Sequence, residues 1–366
     1  MSQTTFDVIV IGGGIAGISA AAEIARDRSV CVLEAEDQLA YHSTGRSAAI
    51  FIRNYGNAVL RRLNALAHPA LAGETREENV LSQRGELLLA LDHQMGALDA
   101  YMAGTDTIER LTAQEAIDLV PVLRRDQIAA AVYEQDAQDI DVDRLLQSYA
   151  RALRAEGGEI RTGQRVTGLA RKDALWQVTT ATGTISAPTV VNAAGAWADE
   201  LAALAGLPGV GLQPMRRSAV IMEVPEGLAV DSWPLFGALL EGDEGWYAKP
   251  EAGRLMISPA DEDPVAPGDA WPDDMVLAEG LYRFEQMVDI PVTRPSHSWA
   301  GLRSFVPDRT PVLGLDPLAE GFCWLAGQGG YGVQTAPAMA ALARDALSGG
   351  IADAGLASSL SPARFR

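Results

Sequence analysis

Three glycines and one acid carry the first chemical signal in this sequence. Gly12, Gly14 and Gly17 are spaced G-x-G-x-x-G, and Glu34 follows Gly12 by 22 residues. The first glycine permits a tight turn, the second lets a pyrophosphate approach the backbone, and the third lets helix and strand pack closely. A helix N-terminus at that turn presents amide groups to phosphate, and an acid at that distance can accept from ribose hydroxyls. The pattern implies a dinucleotide and does not choose between a nicotinamide and a flavin.

Three further segments bear on that choice. The loop Tyr41–Ala49 (YHSTGRSAA) supplies hydroxyls from Ser43, Thr44 and Ser47 and a cation from Arg46, where a ribityl chain and phosphates would run. Asn192-Ala-Ala-Gly195 reads either as a second close approach to a cofactor or as a plain strand-end turn. Gln328 to Gln334 opens the last helix, reading either as a terminal turn or as amides and a helix dipole that stabilise an anion.

The elements that must position these residues follow from periodicity. Asp7–Ile11 and Val30–Glu34 read as short strands buried on both faces, with an Ala-rich helix over Ile18–Arg26 between them. Helices are expected over Val59–Ala67, Arg144–Glu156 and Ala336–Leu347, and strands over Glu86–Ala90, Arg161–Leu169, Trp176–Thr180, Thr189–Gly195 and Phe322–Ala326. From Pro214 to Val292 the pattern is β-rich, interrupted by an acidic, Pro-rich loop from Asp261 to Asp274. Strand–glycine–helix units at both ends with β-rich material between them imply a discontinuous nucleotide domain carrying an inserted domain.

Composition narrows the classes. In 366 residues, 29 basic against 48 acidic side chains leave a net charge of −19, a field that repels nucleic acid. Apolar residues make up 48%, enough for a large core, and the length fits two domains at ~100–200 residues each. Cys31 and Cys323 sit in apolar runs and read as core residues. The four histidines lack ligand spacing, so no metal site is expected. No targeting segment stands out and no window approaches ~18 uninterrupted apolar residues, so the expectation is a cytoplasmic protein.

Seven blocks in order identify a resemblance: Gly12–Gly17, YHSTGRSAA at 41–49, PVLRRD at 121–126, VNAAGAW at 191–197, LQPMRRSA at 212–219, WAGLRSFV at 299–306 and QGGYGVQT at 328–335. The chain resembles the FAD-dependent D-amino-acid oxidases and dehydrogenases of the glycine/sarcosine oxidase superfamily, and most of all the bacterial D-arginine dehydrogenases. The resemblance implies an α/β fold. A discontinuous Rossmann-like FAD-binding domain comprises residues 1–56, 140–208 and 300–366, and an inserted α+β substrate-binding domain on a mixed β-sheet comprises 57–139 and 209–299.

It also implies cofactor contacts from Ala16, Glu34 and Ala35, from the loop Ser43, Thr44, Gly45, Arg46, Ser47, Ala48, Ala49 and Ile50, and from Val166. Gly195, Gly329, Gly330, Tyr331, Gly332, Val333 and Gln334 complete the set. Arg217 and Arg303 are implied to grip an α-carboxylate, a task that suits a guanidinium fork. Tyr55, on a mobile loop, and Tyr247 are implied to close over the substrate. Gly330 and Tyr331 would offer backbone groups to the amine, and Glu86 would face a guanidinium. Without the resemblance, Arg217 reads as a surface strand arginine and Tyr247 as a half-buried core residue.

Two departures stand out. Ile50 and Ile52 replace a histidine and a threonine of the D-arginine dehydrogenases, and Leu235 and Gly237 replace a methionine and a valine that help set the pocket volume. The cysteine that anchors flavin in sarcosine oxidases is absent from Arg303-Ser-Phe-Val306, so non-covalent FAD is expected. The expected reaction is oxidative deamination of D-amino acids over a broad range, with O2 or a quinone-like carrier reoxidising the flavin and the chain acting as a monomer or weak dimer. The alternatives are an N-methyl or cyclic amino-acid oxidase, and a flavin-bearing binding or electron-transfer protein.

Overall fold

Two β-sheets organise the chain, and the computed structural model describes residues 5–76, 78–103, 105, 107–240 and 245–366 of it. The first sheet has six strands in the order Val312–Leu315, Phe322–Ala326, Thr189–Asn192, Val8–Ile11, Val30–Leu33 and Glu159–Arg161. All its pairings are parallel except that of Val312–Leu315 with Phe322–Ala326. Side chains alternate across a strand, so Val8, Val10, Val30 and Val32 face one side, against the helices Ile15–Ile24, Val142–Ala155 and Gly332–Leu347. Ile9, Ile11, Cys31 and Leu33 face the other side, against Trp176 and Val178 of a three-stranded antiparallel meander. Burial on both faces is why these strands read as unbroken apolar runs.

The second sheet is mixed. Its path runs Asp263–Pro264, Gln213–Met222, Arg254–Ser258, Trp246–Glu251, Leu235–Ala238, Glu86–Ala90, Ala130–Glu134 and Ile108–Thr112, and His297–Phe305 adds to Gln213–Met222. Leu235–Ala238 lies parallel to Glu86–Ala90. One face buries Phe236, Trp246 and Ile257 against Phe284 and Met287 of the helix Asp274–Met287. The opposite face turns Ala219, Tyr247 and Met256 towards the nucleotide domain.

The structure departs from the sequence reading in several places. The span Arg161–Leu169 is not one strand: Glu159–Arg161 ends the six-stranded sheet and Gly168–Lys172 opens the meander. The helix Ala58–Leu71, expected in the substrate domain, packs through Leu60, Leu63, Ala67 and Leu71 into the helical core of the nucleotide domain. The strand His297–Phe305 pairs with Gln213–Ile221 along its whole length, so residues 300–305 belong to the substrate sheet. Asp274–Met287 is a helix inside a span read as β-rich; Asp273 caps it by accepting from Met275 and Val276 amides. The last helix starts at Gly332, four residues before Ala336, because the glycine cluster forms its first turn. Among the described residues, no helix is long and apolar enough to cross a membrane.

Candidate functional site

A cleft of about 450 Å3 runs between the two sheets. At one end stands the turn Gly12–Gly17. Gly12 has φ +118°, and a Cβ there would lie 2.2 Å from the Ala193 carbonyl oxygen. A Cβ on Gly17 would lie 1.9 Å from the Gly12 carbonyl oxygen, so this glycine allows helix and strand to touch and does not itself line the cleft. A Cβ on Gly14 would meet only Thr44 Oγ1, at 3.2 Å, because this residue faces the open cleft. The helix behind it has no side-chain cap at Gly14. Such a start offers amide groups to an anion.

Glu34 lines the same end, its oxygens accepting from the Gly13 amide at 2.6 Å and the Glu36 amide at 2.8 Å. Each carboxylate oxygen keeps a second lone pair for a hydroxyl. Ala16, Ala35, Val166 and Gly195 also line the cleft, as do Gly329, Gly330, Gly332 and Val333 at the uncapped start of the last helix.

The loop after the acidic strand divides its labour. Ser43 donates to the Leu302 carbonyl at 2.7 Å, and Thr44 Oγ1 accepts from the Ile15 amide at 3.1 Å. Arg46 lines the cleft, but its guanidinium is spent on the Ala270 and Ala300 carbonyls, at 3.1 and 3.0 Å, and on Asp269 at 2.5 Å. It ties the loop to the substrate domain. Ser47 and Ala48 line the cleft, while Gly45 and Ala49 do not. A Cβ on Gly45 would press to 2.5 Å from the Ala40 carbonyl oxygen, so that glycine serves the turn.

At the opposite end, register brings the two arginines together. Arg217 stands opposite Gly301 and Arg303 opposite Met215, so both share one face of adjacent strands, two residues apart in register. Arg303 Nη1 donates to the Tyr55 hydroxyl at 3.3 Å. Arg217 is held by the Asp261 carbonyl at 2.7 Å and by Glu262 at 3.1 Å. Burial and the neighbouring Arg303 charge lower the Arg217 pKa. Burial also opposes the charge on Arg303, but the Tyr55 and Tyr247 phenols outweigh it and push its pKa up. Burial would raise the Tyr247 phenol, yet Arg303 and Arg217 hold it below its ordinary value. Two clustered guanidinium charges, with Glu262 as the carboxylate on Arg217, make a site for an anion with a carboxylate's shape.

Several residues expected at the site do not reach the cleft surface, although Ile50 and Leu235 pack with Tyr247, Met256 and Trp299 behind its wall. Ile50, Ile52, Tyr55, Glu86, Leu235, Gly237, Tyr331 and Gln334 do not line the cleft. Tyr55 and Tyr331 stand just behind it, their rings 4.7 Å apart. A Cβ on Gly237 would lie 2.3 Å from the Trp246 carbonyl oxygen, so this glycine serves strand packing and does not set pocket volume. Glu86 is buried opposite Glu134 and accepts from the Tyr101 hydroxyl at 3.4 Å. Burial, then the Glu134 charge, raise its pKa to about 8. Gln334 spends its side-chain amide on Ile52 and Asn64.

The sequence reading missed His42, Trp197, Ala219, Met256 and Trp299, which all line the cleft. His42 and Trp197 pack with ring centroids 4.7 Å apart, and His42 Nε2 lies 3.0 Å from Glu36 Oε1. Both aromatic residues sat inside the recognised blocks. Register alone distinguishes Trp299, two residues before Gly301 on the face that carries Arg303.

Residues 7–346 match the model of the family described as FAD dependent oxidoreductase, DAO. The chain belongs to this family. The DAO-family chain is 26% identical over 361 residues to glycine oxidase of Geobacillus kaustophilus, spanning 93% of this chain and 92% of that protein. The crystal structure of glycine oxidase from that organism superposes with a TM-score of 0.83 at 24% identity, over 98% of this chain and 99% of the other. L-proline dehydrogenase from P. horikoshii superposes with a TM-score of 0.85 at 22% identity, over 100% and 98%.

The cleft fits the cofactor that defines a DAO-family protein, FAD. Gly14 and the helix start behind it, where Thr44 takes only the Ile15 amide, would hold the pyrophosphate, Glu34 a ribose, and the turn Gly329–Val333 the ring end. Bound there, FAD supplies a two-electron acceptor that takes hydride.

Proposed function

We propose that this protein oxidises the α-carbon–nitrogen bond of D-amino acids, giving 2-oxo acids and ammonia. The observation that carries this reading is the Arg217–Arg303 pair, backed by Tyr247 and Tyr55, on the cleft wall across from the Glu34 end. A fork of two guanidiniums grips a carboxylate bidentately and fixes Cα relative to the cofactor. The substrate loses hydride from Cα and a proton from nitrogen, and the resulting imino acid takes up water and releases ammonia. The amine must enter uncharged, and two guanidinium charges nearby lower the pKa of an ammonium group. Positioning and this field do the work that a general base would otherwise do.

Ala219, Met256 and Trp299 give the cleft wall by the arginines an apolar surface, which favours hydrophobic side chains. Glu86 is buried outside the cleft with its pKa raised to about 8, so it does not select a cationic side chain there. We therefore expect a broad range in which D-Arg and D-Lys react without dominating. The D configuration rests on the seven sequence blocks.

Anaerobic mixing of the yellow protein with D- and L-amino acids tests the reading. Bleaching by D-amino acids with ammonia as product supports it. Bleaching by secondary amines with formaldehyde or a cyclic imine as product replaces it, and a flavin that no amino acid bleaches refutes it.

A further inference from the structure

The segment that presents Tyr55 is held by three buried side chains from three different elements. Asn64, on the helix Ala58–Leu71, donates to the Ile52, Arg53 and Tyr55 carbonyls at 3.3, 3.1 and 3.1 Å. Gln334, in the first turn of the last helix, accepts from the Ile52 amide at 3.2 Å and donates to the Ile52 carbonyl at 3.3 Å and to Asn64 Oδ1 at 2.7 Å. Glu134 approaches from the substrate sheet. Its Oε1 accepts from the Arg53 and Asn54 amides at 2.8 and 3.3 Å, and its Oε2 from Asn54 Nδ2 at 3.0 Å. Glu134 is only 2% exposed.

We propose that Glu134 is a positioning residue: its carboxylate fixes the backbone of Arg53 and Asn54 and so sets the Tyr55 hydroxyl against Arg303. A carboxylate receiving three N–H donors makes charge-assisted bonds, roughly twice as strong as neutral ones. Two of those bonds pin consecutive amides, which orients the peptide planes just before Tyr55. On the very next residue, the Tyr55 hydroxyl sits 3.3 Å from Arg303 Nη1, and its ring packs tilted against Tyr331. An error in the backbone at Asn54 passes directly to that hydroxyl. Gln334 ties the same segment to the helix start that lines the cleft, so the Tyr55 segment and the cofactor end share one hydrogen-bonded frame.

The proposal rests on Tyr55 acting on the substrate, and the test separates the two claims. In the FAD-loaded enzyme, Glu134→Gln keeps the volume but loses the charge and sets one NH2 group against another at Asn54. We expect faster amide hydrogen exchange at Arg53 and Asn54, with unchanged protection in the strands of both sheets. With the best D-amino acid, kcat/KM should fall roughly tenfold in the native background and less than about twofold in Tyr55→Phe, as coupled residues behave. FAD affinity should hold. Asn54→Ala, which removes the bond to Oε2 together with one to Thr107 Oγ1 and leaves both backbone amides on Oε1, should repeat the pattern more weakly, and it serves alone if Glu134→Gln does not fold.

Unchanged exchange at Arg53 and Asn54 overturns the clamp. An equal loss in the native and Tyr55→Phe backgrounds overturns action through Tyr55. A Tyr55→Phe enzyme with native kcat/KM instead overturns the role of Tyr55, while the exchange result still reports on the clamp.

Discussion

Arg217 and Arg303 lie on neighbouring antiparallel strands, two residues apart in register, on the face that lines the cleft. Neither strand places them alone. A slip of one residue would turn one guanidinium into the opposite layer, so the anion site depends on the register of nine paired residues, Gln213–Ile221 with His297–Phe305.

Arg217→Met or Arg303→Met should leave FAD bound and cripple turnover. Removing one partner of a desolvated charge pair typically costs ~2–5 kcal/mol, or roughly 30- to several-thousand-fold in kcat/KM. Steady-state kinetics beside a flavin spectrum is the measurement. Near-native kcat/KM in either variant removes the carboxylate role.

Gly14→Ala and Gly17→Ala should fail differently. At Gly14 the new methyl meets only Thr44 Oγ1, at 3.2 Å, so the chain folds but the cofactor loses its approach to the backbone. Losing a buried hydrogen bond at ~1–3 kcal/mol gives at least about a fivefold drop in FAD affinity. At Gly17 the methyl meets backbone at 1.9 Å, and the turn itself must move. Melting curves of the FAD-free proteins should separate the two.

Glu86 predicts the direction of the stability–pH curve. Its folded pKa, about 8, lies above the 4.5 of an ordinary glutamate. Between those values the folded chain holds a proton that the unfolded chain has released. Stability from this group is therefore complete below pH 4.5 and drains away as the pH climbs to about 8. The slope is at most ~1.4 kcal/mol per pH unit. Glu134 is shifted upwards too, by burial first, and adds with the same sign. Glu86→Gln should flatten urea-melt stability across this window and be the more stable form at pH 8. A steeper curve in the variant would refute the assignment.

The flavin should separate intact from acid-precipitated protein. Cys31 and Cys323 are fully buried in the nucleotide sheet, their thiols pushed up to about 12 by burial, and neither lines the cleft. Yellow colour that stays in the pellet would show a covalent link through another side chain.

The nucleotide end was legible in the sequence because its determinants are contiguous. Glycine spacing, a strand buried on both faces and an acid at the next strand end act within one βαβ unit, so local pattern and tertiary role coincide. The mixed sheet and the family were legible from short blocks of the same kind. Other features were settled only by packing. The helix Ala58–Leu71 joined the nucleotide core because its apolar face fits the last helix, which no residue within it specifies. Arg46 and Gln334 read as cofactor contacts, yet their hydrogen bonds go to partners 223 and 270 residues away, Asp269 and Asn64. Glu134 and Asn64 gave no local signal. A buried polar side chain takes whatever donors the fold brings to it, and that choice is made by sheet register and helix docking, where sequence periodicity carries no information.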